Sequence, residues 1–293
     1  MVPLVPDDRI RGTKTLLLGP PGSGKTSALA TLIAAGLELF VVGTEPGADE
    51  ALDDAMTRLK LPREKLHYAY IAPASEKWSD LMAMAKQINA MSYEDLASIK
   101  SGINKTGYQQ FYQLLSLLSD FTDQRSGQKF GPVDSWSADR ALAIDSMSGL
   151  NYMAMSMLVG AKPAAHQGEW GVAMNALEKL IMKLTSDLDC FLVMTAHVEK
   201  EFDEIAGKMN VMASMLGKKL APKIPRLFSD VILAKREGGQ HFWSTTAAGV
   251  DLKTRNLPLS DKLAPSFEQI VKSWRARNEL ALAAAKPTQG KQA

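Results

Sequence analysis

A glycine-rich loop near the start of the chain carries the residues with the clearest chemistry. Residues Gly19-Pro-Pro-Gly-Ser-Gly24-Lys25-Thr26 match the pattern G-x-x-x-x-G-K-[ST]. The loop follows an apolar run, 15–19, that predicts a buried strand, and it opens an Ala/Leu-rich run, 26–35, that predicts a helix. In this context backbone N–H groups and the helix N-terminus bind phosphate oxygens, the catalytic lysine contacts the β- and γ-phosphates, and the threonine hydroxyl ligates Mg²⁺. The predicted nucleotide contacts are Gly19, Pro20, Pro21, Gly22, Ser23, Gly24, Lys25, Thr26 and Ser27.

Two carboxylates that follow predicted strands are candidates for holding the metal and for activating water. Asp145 ends the predicted strand 141–145, and we expect it to hold Mg²⁺ together with Thr26. The alternative is an ordinary helix cap, a role that Ser146 could fill equally well. Many ATPases place the water-activating glutamate directly after this aspartate, but here that position is Ser146. We therefore assign water activation to Glu45, which follows the predicted strand 39–43 and whose alternative role is that of a solvated turn residue.

A histidine follows a third predicted core strand. The run 190–195 predicts this strand, and Thr195-Ala-His197 lies at its carboxyl end. Parallel strands bring their carboxyl ends to one edge of a sheet, so His197 is expected beside the phosphate loop. We predict that His197 senses the γ-phosphate; the alternative is a structural histidine.

The whole chain predicts one α/β domain with a mainly parallel central sheet flanked by helices, because predicted strands and helices alternate along it. The domain is predicted to span 13–285, with an arm at 1–12, a mostly helical insertion at 92–140 and a disordered tail at 286–293. A formal net charge of +2 excludes a protein whose whole surface is basic for nucleic-acid binding, and a single cysteine excludes a disulfide framework. We also expect a cytoplasmic protein, since no signal segment is found and the longest central uncharged stretch is shorter than the roughly 20 residues of a membrane span.

These motifs, in this order, resemble the RecA-type P-loop ATPase core, and most closely the phage-encoded RecA-like ATPases of recombination and single-strand annealing. The resemblance covers 13–256 apart from the insertion, and the stretches 217–230 and 251–255 are typical of that group. It implies ATP and Mg²⁺ as cofactors and the cytoplasm of a bacterial host as the location; the residues themselves do not separate ATP from GTP. The Asp145-Ser146 pair favours this group over the AAA+ pattern, which carries an acidic pair there. His197 stands where bacterial RecA has a glutamine.

The resemblance also implies single-stranded DNA as a partner, bound by two loops at about 159–169 and 198–217. Five basic residues and no acidic one occur between 205 and 226, which favours salt-dependent contact with phosphates. A solvated surface is the alternative. Neither loop shows an obvious base-stacking aromatic apart from Trp170 at the edge of the first, so contact along the backbone is favoured over readout of bases. The predicted DNA contacts are Lys162, His166, Lys200, Lys208, Lys218, Lys219, Lys223 and Arg226.

A second basic motif, Lys253-Thr-Arg255, puts two cations on the same side of an extended segment. By resemblance, Lys253 and Arg255 reach the γ-phosphate on a neighbouring subunit and stabilise the charge that develops there. This implies a homo-oligomer, a filament or a ring, with a shared active site. A single-strand-binding or replisome protein is a further expected partner, and no membrane is expected.

Two other functions fit the same nucleotide site. One is a ring-forming motor or helicase-loader-type ATPase of phage replication. The other is a nucleotide-switched protein-interaction module, in which the insertion is the partner-binding surface.

Overall fold

A seven-stranded sheet forms the centre of the chain. The computed structural model describes residues 10–72, 78–92, 94, 108–160, 165, 167–203, 208–216 and 220–279. The strands of the sheet are β1 (Lys14–Leu18), β2 (Glu38–Gly43), β3 (Leu66–Tyr70), β4 (Arg140–Asp145), β5 (Phe191–Ala196), β8 (Asp230–Glu237) and β9 (Gln240–Ser244). Their order across the sheet is β3-β2-β4-β5-β1-β8-β9, and every neighbouring pair is parallel except β8 and β9. This confirms the predicted α/β fold with a mainly parallel sheet.

Helices cover both faces of the sheet. They are α1 (Lys25–Leu29), α2 (Thr31–Ala34), α3 (Ala48–Arg58), α4 (Trp78–Asn89), α5 (Gln110–Ser119), α6 (Met147–Val159), α7 (Gln167–Ser186) and α8 (Glu268–Arg277). Among the described residues, none of the helices combines the length and the apolar composition that crossing a membrane requires.

The alternation of side chains along each strand builds two cores. Leu16 and Leu18 of β1 point to one face, where they pack with apolar residues of α5, α6 and α7. Leu17 points to the other face and packs with α1, α2, α3 and α8. All five residues of β1 are buried, which is why this strand reads as a continuous apolar run rather than an alternating one.

Helix α6 and a β-hairpin are the elements that the sequence pattern did not predict. Ser146 caps α6, because its Oγ accepts a hydrogen bond from the Ser148 N–H at 3.2 Å. The helix is uncharged on every side, so it lacks the polar stripe that marks an amphipathic helix. The second DNA loop, expected at 198–217, begins as an antiparallel hairpin of β6 (Val198–Asp203) and β7 (Lys208–Ala213).

Buried aromatic side chains of the predicted insertion belong to the main core. Phe121 and Trp136 are buried and surround Phe40 of β2, with ring centroids 5.2 and 4.2 Å from it. The Arg140 guanidinium lies 5.2 Å from the centre of the Phe40 ring and donates to Glu38 Oε2 at 3.0 Å. The described part of this segment, 108–140, therefore belongs to the packing of the sheet.

Candidate nucleotide site

The predicted nucleotide residues meet in one cleft at the carboxyl edge of the sheet. The loop after β1, the end of β4 and the turn after β2 all reach this edge, as does the end of β5. The cleft encloses about 340 Å³. It is lined by Pro21, Gly22, Ser23, Gly24, Lys25, Thr26, Ser27, Glu45, Ala51, Asp145, His197 and His241.

The phosphate loop holds its lysine at the floor of this cleft. Lys25 is buried, and its Nζ donates to the carbonyl oxygens of Gly19 at 2.8 Å and Pro20 at 3.0 Å. Gly24 precedes the helix with φ of 84°, a left-handed conformation that favours glycine. The Ser23 hydroxyl is buried and has no hydrogen-bond partner among the described residues. The loop therefore keeps a hydroxyl that could donate a hydrogen bond to an anionic oxygen.

Thr26 and Asp145 form the pair expected of a magnesium site. Thr26 Oγ1 donates to Asp145 Oδ2 at 2.6 Å, and Thr195 Oγ1 donates to the other carboxylate oxygen. Because Ser146 provides the helix cap, the Asp145 side chain is left for these hydroxyls and for a metal. A hydroxyl and a carboxylate oxygen side by side are hard donors that suit Mg²⁺. These residues therefore fit the metal that the sequence predicts.

Burial sets the protonation of the charged groups in the cleft. It raises the pKa of the Asp145 carboxyl group, against the hydrogen bonds from Thr195 and Thr26, which lower it. Burial also lowers the pKa of the Lys25 ammonium group, against the carboxylates of Asp145 and Glu45. Burial in the cleft thus destabilises the charged form of Asp145, and a bound cation offsets that destabilisation.

We expect Asp145→Asn to raise the thermal stability of the nucleotide-free protein at pH 7 while removing its response to Mg²⁺. With its pKa raised in the folded state, native Asp145 binds a proton more tightly than unfolded Asp145, so the free energy of unfolding falls as pH rises through the folded-state pKa. The amide removes this loss, and each kcal/mol regained shifts Tm by roughly 2 to 4 °C. Thermal unfolding from pH 5 to 8, with and without Mg²⁺ and an ATP analogue, measures both effects. A lower Tm for the variant at pH 7 would contradict a raised pKa of Asp145 in the folded state.

Glu45 lies in the cleft although its strand is not beside β1. Strands β4 and β5 separate β2 from β1. The turn after β2 nevertheless carries Glu45 to the cleft, where Oε1 accepts a hydrogen bond from Ser146 Oγ at 2.5 Å. Glu45 Oε2 lies 3.2 Å from His197 Nε2. A carboxylate held on both oxygens and still 39% exposed is suited to orient and deprotonate a water molecule.

His241 is a cleft residue that sequence reasoning missed. It lies in β9, and its Nε2 is 3.2 Å from the carbonyl oxygen of Gly22. A Cβ atom at Gly24 would lie 3.0 Å from the His241 ring. The sequence shows a histidine just after the Gly238-Gly239 turn. Placing this histidine at the phosphate loop required knowing that β8 pairs with β1.

The predicted trans pair lies away from the nucleotide cleft of its own chain. Arg255 lines a separate cleft of about 740 Å³ with Arg11, Arg277 and the residues that begin β1. This cleft is at the amino edge of the sheet, opposite the phosphate loop. The Lys253 ammonium donates to the Phe228 carbonyl oxygen at 2.7 Å, so Lys253 holds the local backbone, whereas the Arg255 side chain is exposed.

The segment that carries Arg255 is fixed by a buried carboxylate. Asp230 Oδ1 accepts from the backbone N–H of Arg255 at 2.8 Å and of Asn256 at 2.9 Å. Arg277 donates to the Arg255 carbonyl oxygen at 3.0 Å. Within the part of the chain that the structure describes, the Arg255 guanidinium has no hydrogen bond or ion pair, and it is therefore free to act on another molecule.

The predicted DNA residues are only partly placed. Lys200 is exposed on β6, Arg226 is exposed in the short turn Pro225–Leu227, and Lys223 Nζ lies 3.6 Å from Glu178 Oε1. Lys208 begins β7, but its side chain lies outside the description. Lys162, His166, Lys218 and Lys219 lie outside the described residues.

Comparison with known proteins gives a family and likenesses to solved structures. A family model described as an AAA domain matches residues 11–256, whereas none of the curated proteins matches the chain. Among the solved structures that the chain matches is flagellar accessory protein FlaH from Methanocaldococcus jannaschii. FlaH is 10% identical, with 87% of this chain and 84% of that chain covered and a TM-score of 0.34.

The family match supports the predicted P-loop NTPase. The matched residues include the phosphate loop, Glu45, Asp145 and His197, which the fold gathers in one cleft. The chain therefore belongs to the AAA domain family and is a P-loop NTPase.

Proposed function

We propose that this protein hydrolyses ATP, binds single-stranded DNA as an oligomer, and promotes DNA recombination or strand annealing in the cytoplasm of a phage-infected bacterium. The observation that carries the proposal is the link between the nucleotide cleft and the hairpin. His197, which contacts Glu45, is followed directly by β6, and its carbonyl oxygen accepts a hydrogen bond at 2.7 Å from Ser214 N, just after β7. A change at the γ-phosphate can thereby reach a surface outside the cleft.

The chemistry assigned to the cleft is water attack on the γ-phosphate. Lys25 contacts the β- and γ-phosphates, while Thr26 and Asp145 hold Mg²⁺, which when bound neutralises charge on the phosphate oxygens. Glu45 orients the attacking water and takes its proton. We assign to the His197 ring, which is 27% exposed, the role of sensing whether the γ-phosphate is present.

The charge of the cleft supports a shared site. Among the described residues that line it, Lys25 is the one cation, beside the carboxylates of Asp145 and Glu45. Phosphoryl transfer gains from a second cation on the transferred group. The free Arg255 guanidinium is at the opposite edge of the sheet, so a head-to-tail contact between two chains would bring it to the neighbour's nucleotide. Contacts of this kind close into rings or grow into filaments.

Acidic residues beside the nucleotide cleft support that head-to-tail contact. Asp49, Glu50 and Asp54 are exposed on α3, whose first turns adjoin the cleft through Ala51. The amino-edge cleft is lined by the basic residues Arg11, Arg255 and Arg277. Opposite charge on the two ends favours association of one end with the other.

The experiment that tests the proposal is ATP hydrolysis with and without single-stranded DNA. We expect single-stranded DNA to raise the rate several-fold and its binding to weaken steeply as salt increases, because the predicted contacts are with phosphates. Double-stranded DNA of the same sequence is the control. Hydrolysis that ignores single-stranded DNA, with no binding at low salt, would refute the proposal.

Particle shape distinguishes the proposal from a ring-forming motor, which the same head-to-tail contact allows. Electron microscopy with a non-hydrolysable ATP analogue and single-stranded DNA should show open helical filaments. Closed rings would favour a motor or loader of phage replication instead.

A further inference from the structure

A histidine of β9 lies against the phosphate loop, and the chemistry described above gives it no part. We infer that the His241 imidazole is a second phosphate contact of the nucleotide site, made when the ring is protonated. The inference rests on the ATP binding of the proposed function and not on its binding of DNA. It makes the affinity for a polyphosphate ligand depend on pH through one side chain.

Strand pairing brings His241 to the loop. Strand β8 pairs with β1, which ends at the phosphate loop, and β9 pairs with β8 in a β8–β9 hairpin. Two residues after His241, the Trp243 indole lies on the same side of β9. Trp243 is buried and packs on the Phe267 ring, with the ring centroids 4.8 Å apart. This packing fixes the strand from which His241 reaches the loop.

The contact with Gly22 determines which ring nitrogen is left for a ligand. The His241 Nε2 atom lies 3.2 Å from the Gly22 carbonyl oxygen. A carbonyl oxygen can only accept a hydrogen bond, so Nε2 carries the hydrogen. The ring atoms that would lie nearest a Cβ atom at Gly24 are Cδ2, Cγ and Nε2, at 3.0, 3.2 and 3.5 Å. Nδ1 lies farther from the loop backbone and is the nitrogen that remains for a ligand.

The protonation of Nδ1 decides what the ring can bind. In the neutral ring Nδ1 is an acceptor, whereas the imidazolium donates from both nitrogens and carries a positive charge. Phosphate oxygens are acceptors, so only the imidazolium can bind them through Nδ1. The ring touches Gly22 and Gly24, which belong to the turn whose backbone N–H groups bind phosphate. This position favours a phosphate over a base as the ligand, and histidine is the side chain whose charge ordinarily changes between pH 5 and 8.

The other charged groups near His241 stay the same when only this residue is changed. The titratable groups in the cleft lining are Lys25, Glu45, Asp145 and His197. On the β8–β9 hairpin, Arg236 lies opposite His241, and Glu237 is paired with Lys262 at 3.2 Å. With neutral histidines, Lys25 is the one cation among the described lining residues, so the imidazolium adds a second positive charge there. A difference between wild type and a variant of His241 isolates this charge.

The test measures the affinity of wild type and His241→Gln for ATP and for inorganic tripolyphosphate, at pH 6 and pH 8 with saturating Mg²⁺. Glutamine keeps a donor for the Gly22 carbonyl oxygen but cannot gain a charge. At pH 6 wild type should bind both ligands roughly tenfold more tightly than His241→Gln, the usual size of a hydrogen bond to a charged group. At pH 8 the two should bind alike. Gln240→Ala is the matched control and should follow wild type, because Gln240 is exposed, lies outside the cleft lining and points to the other side of β9.

Three results would overturn the inference. A wild-type advantage of the same size at both pH values, or at neither, would show that the charge of His241 does not contribute, while the proposed function stands. An advantage confined to ATP would place the contact on the nucleoside instead of a phosphate. If wild type binds neither ligand, the proposed function fails and the phosphate contact with it. Equal thermal unfolding of wild type and His241→Gln at each pH shows that the fold is intact.

Discussion

Glu45→Gln is expected to lower the rate of ATP hydrolysis by roughly 10²- to 10⁴-fold, the usual contribution of a general base. The amide keeps the size of the side chain and can still bond Ser146 and His197, but it cannot take a proton from water. Nucleotide binding should change only a few-fold, because Lys25, Thr26 and Asp145 are untouched. This separation of binding from turnover distinguishes a catalytic glutamate from a structural one.

Phosphate release and binding of a fluorescent ATP analogue measure the two effects. Glu64→Gln is the matched control, because it is the same substitution at an exposed residue in the short turn Arg63–Lys65, outside the cleft lining. Hydrolysis by Glu45→Gln within about twofold of the Glu64→Gln rate would be far below a general-base effect, and water activation would then have to be reassigned.

Arg255→Ala is expected to lower hydrolysis by about 10³-fold or more, the range found for arginine fingers, and to leave nucleotide binding nearly unchanged. The reason is positional, since Arg255 lies at the amino edge and cannot contact the phosphates bound by its own chain. Its loss therefore leaves the binding site intact and removes only a cation supplied from outside.

The matched control for this substitution is Arg275→Ala. Arg275 is exposed on α8 and lies outside the lining of the amino-edge cleft. A loss of thermal stability in Arg255→Ala should be small, because Asp230 and Arg277 hold the segment through its backbone. If Arg255→Ala hydrolyses ATP as fast as Arg275→Ala, no finger acts at this position.

The parts of the site that could be predicted are those with a strong local pattern. The phosphate loop has a fixed spacing between a strand and a helix, and Asp145 ends an apolar run, so both could be placed without knowing the strand order. Glu45 could be placed only at the end of a predicted strand, because the sequence does not show that β4 and β5 lie between β2 and β1. Its place in the cleft depends instead on the turn after β2 and on Ser146, across 101 residues of sequence.

The parts that could not be predicted depend on contacts between distant elements. Helix α6 is uncharged throughout, so its sequence does not show which side packs against the core. The hairpin β6–β7 lies in a stretch that the resemblance assigned to a loop. His241 reaches Gly22 across 219 residues because β9 pairs with β8. Pairing and packing of this kind are set by the whole fold rather than by local propensity.

The central claim is that one active site is built from two chains, and mixing two inactive variants tests it most directly. Lys25→Ala and Arg255→Ala chains, each with its own tag, are co-expressed and purified through both tags, and phosphate release is measured with single-stranded DNA. Random head-to-tail assembly places an intact Lys25 against a neighbour's intact Arg255 at about one contact in four, so we predict recovery of about a quarter of the wild-type rate. Mixed oligomers that stay as inactive as either variant alone would contradict the claim.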